Sequence, residues 1–581
     1  MKQQVAIGID LGTSTSEIAV YRNEPVVLPD PTWKTPIVPS LVAVDSKGRL
    51  QVGETARSNV DIPGRGAREI KRKMGTGETV QLMNNSYRPE EISAMILRKL
   101  KENAEEALNT AVTEVVLSVP ANFADAARNA TMTAAELAGL KVLRAINEPT
   151  AAALAFGIKH INAEEQLVVF DFGGGTLDIS VCEMLDGILD VKCSYGDPRL
   201  GGKDIDEAIA RYLLEQFQRQ YPRAKSSERQ INELKSYSEK TKRALSTQTT
   251  YSDVLLNFAQ QNGEPIDLEL ELSRAEMERI IAPILERARD CIRLALNAKK
   301  LRPSSIDRVL LVGGTTYIPA VRKLVAEMFN KDPKADVEPD LAVAMGACIT
   351  AAQATGVISE EDGIILTDVC PFSLGVDPIS LVGGQLVVIY EPLIERNQHV
   401  PFSCKKEYHL LHTQQEIVEI HLYQDNLGTA KIPADATDTG LVARIEGIPP
   451  ASDGQPHPVE VDFSYDINGL VTLKARIPAI NREVTLKHMP NVARMDSEQK
   501  QQAITRLQDL WRRSARASQY EGIIGKAERL MDETSVEKNV NLLGLLTELK
   551  EALANDDTAA IKTCGDQLVD MMFEIENEHY M

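Results

Sequence analysis

The sequence predicts a multidomain chain in three successive fold classes, α/β, then β, then α. Three observations carry this. Apolar strand-like runs alternate with helical stretches to about residue 355, period-two patterning fills the chain from Pro371 to about Met489, and a helical pattern runs from Asp496 nearly to Met581. At 581 residues the chain also exceeds what one hydrophobic core serves.

Within the α/β part, Val115 to Val119 reads as a strand, the Ala-rich run Asp125 to Gly139 as a helix, and Val142 to Ile146 as the next strand. An acidic and aliphatic connector, Glu360 to Asp368, then breaks the pattern. In the β part, the alternation Val459 to Tyr465 runs into an Asn468-Gly469 turn and the strand Leu470 to Ala475, a hairpin signature. Asp496 with Gln499 three residues on is an N-cap pattern, and Ile504, Leu507, Leu510 and Trp511 then fall at helical spacing. That stripe is read as packing. The boundaries so placed are 1–358, a connector 359–369, 370–490 and 491–581.

A net charge of -20 argues against general nucleic-acid binding, which needs clustered Lys and Arg facing phosphates. There is no basic and apolar leader and no run near the roughly 18 apolar residues of a membrane span, so a cytoplasmic protein without membrane or nucleic-acid partners is expected. The 7 cysteines form no C-x-x-C pair and read as buried small hydrophobes rather than disulfides or zinc ligands.

The chemistry is concentrated in a repeated motif. Asp10-Leu11-Gly12-Thr13-Ser14-Thr15 follows the apolar run Val5 to Ile7, and Asp171-Phe172-Gly173-Gly174-Gly175-Thr176-Leu177-Asp178 follows Leu167 to Phe170. Each reads as strand, Gly turn, strand. Glycine lets backbone N–H groups approach a phosphate closely, and an aspartate at the strand end offers a hard oxygen to Mg²⁺. Two copies fit one nucleotide held between two lobes. Neither a P-loop nor a dinucleotide fingerprint is present. Further Gly pairs at Gly201-Gly202 and Gly313-Gly314 each precede a helix and are added nucleotide contacts or close packing points.

These residues resemble the DnaK-type chaperones, the 70-kDa heat-shock family, through IGIDLGTSTSEIAV, IKRKMG, VPANFADAARNAT, INEPTAAALAFG, VFDFGGGTLDISV, LGGKDID, VLLVGGTTYIP and the connector with CPFSLG. The resemblance covers nearly the whole chain. It implies an actin-like ATPase domain, a flexible linker, a β-sandwich that grips extended peptides and a C-terminal helical lid. The implied activity is an ATP-dependent chaperone cycle in stress response and protein folding, in which peptide affinity is coupled to ATP binding and hydrolysis.

By matched position, the resemblance implies that Asp10 and Asp171 organise Mg²⁺ and that Gly12, Thr13, Ser14, Thr15, Gly173, Gly174, Gly175 and Thr176 cradle phosphate. Lys71 would reach the γ-phosphate, Glu148 would position the attacking water, and Asp178 would assist. Glu239 and Lys242 would meet the ribose, Ser246 the base edge and Arg243 the adenine face, with Gly202, Gly313, Gly314 and Asp340 completing the pocket. Tyr317 stands where the family usually has arginine, and its ring can still stack on a purine. ATP or ADP and Mg²⁺ are the implied cofactors, with K⁺ as a further candidate ion. Arg144 and Asp368 would lie where a J-domain cochaperone binds, Pro120 and Arg128 in an interdomain relay, and Ile364, Ile365 and Leu366 in the linker that docks with ATP. Clients would be unfolded or extended polypeptides, and a nucleotide exchange factor is a further implied partner.

The chain is shorter than common members between Met74 and Arg88, and it lacks their polar tail. Two other readings share the hairpins: a small-molecule kinase, which leaves the β and helical parts without a role, and a nucleotide-switched scaffold with negligible turnover, against which Lys71, Glu148 and Thr176 speak.

Overall fold

Two six-stranded sheets organise the first part of the molecule, and both begin with the repeated motif. The computed structural model describes residues 5–578 except 47, 162, 334–336, 360, 453, 488–494, 515–516, 534–535 and 555–556. Glu360, Met489, the boundary at 490/491 and Met581 therefore lie outside the described residues.

In the first sheet, strand Ile7–Leu11 pairs antiparallel with Thr15–Arg22 and parallel with Glu114–Val119, which is followed by Lys141–Asn147 at the edge. In the second, Glu165–Phe172 pairs antiparallel with Leu177–Leu185 and parallel with Arg308–Val312. The motif thus opens the same local topology twice. Both hairpins are buried along most of their length, and the Ala-rich helices Glu148–Gly157 and Ala342–Ala354 are buried almost throughout.

The resemblance implies a flexible linker, but Ile365–Val369 is a strand. It adds in parallel to Ile188–Asp197, with Ile188 opposite Ile365 and Asp190 opposite Thr367. Ile364 is buried and Leu366 partly so, while Ile365 stays 62% exposed.

Beyond it, two four-stranded antiparallel sheets share one core. Ser373–Val376 and Ile417–Asp425 contribute Leu374 and Leu422, and Pro458–Tyr465 and Val471–Ile477 contribute Val461, Phe463 and Leu473. This is a sandwich built on alternating inward residues. The hairpin Ile379–Val382 with Gln385–Val388 stands off it, with Ile379, Leu381, Val382, Leu386, Val387 and Val388 exposed.

Among the described residues four helices follow, Ser497–Ser514, Ala517–Glu533, Val536–Ala554 and Thr558–Glu578. The stripe expected to be packing is so: Ala503 and Leu507 enter the core of the first lobe, with Ile504, Leu510 and Trp511 against it. Its partner here is that lobe rather than the sandwich. Among the described residues, no helix is long and apolar enough to cross a membrane.

Candidate nucleotide site

The two Gly turns face one another at van der Waals distance. A Cβ on Gly174 would lie 2.1 Å from Ser14 Oγ, and one on Gly175 would lie 2.4 Å from Thr13 Oγ1. Only glycine tolerates this approach, and it brings the Thr13 and Ser14 hydroxyls against the backbone of the second turn, groups of the kind that hold phosphate. Ser40 supports the first turn, its hydroxyl donating to the Gly12 carbonyl at 2.9 Å. Gly173 accepts from the Thr315 hydroxyl at 2.8 Å, which ties the second turn to Gly313 and Gly314. Thr13 and Thr176 are buried, and Thr15 begins the returning strand.

The acidic residues sit at the strand ends, as expected. Asp10 Oδ1 accepts from the Ser118 hydroxyl at 2.6 Å; Asp178 accepts from Asn122 Nδ2 at 2.6 Å and keeps its second oxygen unpartnered. Lys71, in the short 3-10 turn Ile70–Lys73, donates to Glu148 at the start of its helix, and both are buried. Arg72 beside it donates to the Gly175 carbonyl at 2.9 Å and pairs with Asp204.

Burial dominates the electrostatics. It pushes Glu148 up to about 7 against the pull of Lys71, with Asp10 adding to the rise. Burial likewise raises Asp178 to about 6 and Asp340 to about 6. Asp171 is held well above the usual carboxylate range by burial and by Glu148, Asp178 and Asp10, and Asp10 is raised by its own burial. Burial works against the Lys71 charge, but Glu148 and Asp10 outweigh it and keep the ammonium protonated. The carboxylate oxygens of Asp10 and Asp171 suit Mg²⁺ and the Lys71 ammonium suits phosphate, so the residues present fit a Mg²⁺-bound polyphosphate.

These raised carboxyls hold protons that the unfolded chain releases near pH 4. Their contribution to stability is therefore present below about pH 4 and is lost as pH rises through about 6 to 7. Denaturation midpoints of the nucleotide-free protein should fall between pH 5 and 7.5, and the fall should be shallower in Glu148→Gln. A midpoint that rises over this interval contradicts the assignment.

The expected nucleoside residues lie on helix Glu228–Thr247 at helical spacing. Glu239 pairs with Lys203 at 2.8 Å and Lys242 with Asp206 at 2.8 Å. Burial would raise Glu239, but Lys203 and Lys242 overcome it and hold the carboxyl at about 2. Lys242 also donates to the Gly202 carbonyl at 3.1 Å, and Ser246 donates to the Lys242 carbonyl at 2.9 Å. Arg243 acts on Asp340, which stands against Gly314. Gly313 at φ 81 turns the chain against Phe172. Tyr317 is 38% exposed with the Arg322 guanidinium 5.7 Å from its ring centre.

The expected coupling residues form a second constellation. Arg128 is buried and donates to Asn147 Oδ1 at 2.6 Å, to the Ala121 carbonyl at 2.9 Å and to the Pro120 carbonyl at 3.5 Å. Asp368 is buried too, accepting from Asn147 Nδ2 at 2.9 Å and the Thr150 hydroxyl at 3.0 Å. Arg144 lies nearby, its pKa lowered by burial against the attraction of Asp368. The sandwich reaches this constellation through its hairpin turn: Asn468 Oδ1 accepts from the Ala145 N–H at 3.0 Å, and Asp125 Oδ1 accepts from the Val471 N–H at 3.0 Å.

Ser118 lies outside every motif the sequence offers, and Asn122, Asn147 and Asp206 lie inside motifs that do not reveal their partners; the fold brings each to the residue it contacts. Glu17 had a sequence signal available, being a charge directly before the apolar run Ile18 to Val20 and opposite Asp10.

A twofold hairpin core around a buried Lys–Glu pair, with a β-sandwich and a helical segment attached, defines an ATPase with appended binding parts. Residues 6–81 and 69–581 match the family model described as Hsp70 protein, and the chain belongs to the Hsp70 family. It is similar to the chaperone protein DnaK of Mycoplasmopsis agalactiae, 36% identical over 98% of this chain and 94% of that protein. It is similar also to the DnaK proteins of Thermotoga neapolitana, 36% identical over 98% of this chain and 96% of that one, and Thermosipho melanesiensis, 35% identical over 98% and 96%. Membership makes the chain an ATPase of the chaperone class, and the family architecture joins an actin-like ATPase to a β substrate-binding part and a helical lid.

Proposed function

We propose that this protein binds and releases extended apolar segments of unfolded polypeptides, with the grip set by ATP binding and hydrolysis in the cleft between the two Gly turns. One observation carries the coupling. Strand Ile365–Val369, from which the sandwich continues, hydrogen-bonds to Ile188–Asp197, whose other neighbour Leu177–Leu185 begins at the second Gly turn and contains Asp178. A change at the turn is therefore transmitted through two strands to the root of the sandwich.

In the cleft, Thr13, Ser14, Gly174 and Gly175 hold the phosphates. Lys71 places its charge at the terminal phosphate, and Glu148 orients the water for in-line attack. Mg²⁺, when bound by Asp10 and Asp171 through oxygen or water, neutralises phosphate charge. Glu148, raised to about 7, is in range to accept or share the proton of that water at neutral pH. In the sandwich, the exposed hairpin 379–388 supplies apolar surface and strand edges to an extended client, where each buried leucine-sized side chain contributes about 1.5–3 kcal/mol. Arg144 and the exposed side of strand Ile365–Val369 are the surface for a J-domain cochaperone, with Asp368 not itself on that surface but buried beneath it on Asn147 and Thr150, and an exchange factor would open the lobes.

Steady-state ATP hydrolysis with and without an excess of an unfolded, aliphatic-rich peptide tests this reading. Stimulation by peptide, absent in Asp368→Ala, is the expected result; turnover indifferent to several unrelated peptides sinks the coupling. Tyr317 stacks on the base in this reading, and Tyr317→Ala should weaken ATP binding by about 2–10-fold, the worth of one aromatic contact. Calorimetric titration reads this directly, and unchanged affinity removes Tyr317 from the pocket.

A further inference from the structure

The opening hairpin sets Glu17 directly opposite Asp10. Opposed residues of an antiparallel pair project from the same face with Cβ atoms about 4.5–5.5 Å apart, so Glu17 sends a second carboxylate into the space that Asp10 faces. Glu17 is 1% exposed and its Oε1 has no hydrogen-bond partner. The Thr15 hydroxyl supports it, Asp10 and Asp340 add negative charge, and the basic group that bears on it, Lys71, is committed to Glu148. A carboxylate buried this deeply is costly unless something satisfies it. No role assigned to the nucleotide site uses it.

A cation of high charge is the partner that would keep Glu17 ionised. Around Lys71 stand Glu148, Asp10 and Asp171, and Glu17 adds one more carboxylate on the side of Asp340. A bound polyphosphate brings further negative charge, more than one Mg²⁺ balances. Among the described residues, no three acidic, Cys or His side chains are grouped to hold an ion by themselves. The remaining ligands must then come from the nucleotide.

We propose that Glu17 and Asp10 together hold a second divalent cation, additional to the Mg²⁺ of the nucleotide, whose coordination is completed by phosphate oxygens and water. Hard oxygen donors of this kind suit Mg²⁺, Mn²⁺ or Ca²⁺. Asp10 would then serve both ions, and the second would add charge neutralisation at the phosphates. The inference rests on the nucleotide-site reading above.

Manganese counts the ions without recourse to activity. The full-length protein, freed of metal and loaded with a non-hydrolysable ATP analogue, is titrated with Mn²⁺ and followed by electron paramagnetic resonance. Two tightly held ions with the spin coupling of a close pair are expected in the wild type, and one in Glu17→Gln with the analogue still bound. One ion in the wild type overturns the proposal without any variant, as does a count of two in both proteins. A single Mn²⁺ accompanied by a K⁺ requirement also overturns it, since a monovalent ion would then satisfy Glu17. If the analogue itself is not retained, the nucleotide-site reading falls, and the proposal with it.

Discussion

Lys71→Ala is expected to lower ATP turnover by about 10²–10³-fold, the loss typical when one preorganised charge is removed from the developing transition state. The lysine is buried and hydrogen-bonded to Glu148, so it is held in place before the nucleotide arrives. Removing it leaves Glu148 with its pKa already raised to about 7, and without the ammonium that carboxyl simply keeps its proton at neutral pH. The fold should therefore survive. Nucleotide affinity should change much less than turnover, because the backbone and hydroxyl groups of the two Gly turns, not Lys71, make the cradle. Single-turnover hydrolysis beside equilibrium binding separates the two effects. Lys71→Arg should not restore the rate, since a planar guanidinium cannot occupy the space of a compact ammonium against Glu148. Unchanged turnover in Lys71→Ala would remove this residue from the chemistry.

What could be read from the sequence was local, and what could not was contact. The repeated Asp-x-Gly motif predicted two hairpins because strand, turn and glycine are written in consecutive residues, and the structure adds that both open the same sheet topology. Asn468-Gly469 announced a turn for the same reason, since such pairs favour positive φ, and Gly469 has φ 76. That the turn lies against Arg128 and the Ala145 N–H was not readable, because nothing in residues 466–470 encodes a partner more than three hundred positions away. The connector illustrates the same limit. Its aliphatics predicted a docking segment, but only the register with Ile188–Asp197 makes it a strand, and Asp368 becomes a buried hydrogen-bond acceptor rather than a surface charge. Lys71 and Glu148, 77 residues apart, read as unrelated charges until the family pattern joined them and the fold paired them.

Trp33→Ala is expected to have the largest effect on how the helical segment is held. The loop before it is built for presentation: Asp30 Oδ1 accepts from the N–H groups of Thr32 and Trp33 at 2.9 and 3.1 Å, while Asp30 Oδ2 receives Asn103 at 3.0 Å and Lys99 at 3.2 Å. So fixed, Trp33 leaves its own lobe and is 6% exposed in the core of the C-terminal helices, among Ile523, Ala527 and Leu530, with Lys526 5.1 Å from its ring centre. Gly522 packs on Thr55 so closely that a Cβ would lie 2.5 Å from its methyl group. Arg506 pairs with buried Glu91, and Arg98 lies 4.7 Å from the Trp511 ring centre. Truncating a buried tryptophan costs about 3–5 kcal/mol, more than exposed ion pairs such as Lys500 with Glu136 can offset. The helices should therefore leave the first lobe while the two Gly turns, which none of these contacts touch, keep their geometry. With only 2 tryptophans in the chain, the variant makes Trp511 the sole reporter. Its emission should shift to the red, and the segment beyond Asp496 should become protease-sensitive. Trp33→Phe, which keeps most of the apolar contact, should behave nearly as the wild type. Unaltered Trp511 emission and unaltered proteolysis in Trp33→Ala would mean that the helices are held by Arg506, Leu507 and their neighbours alone.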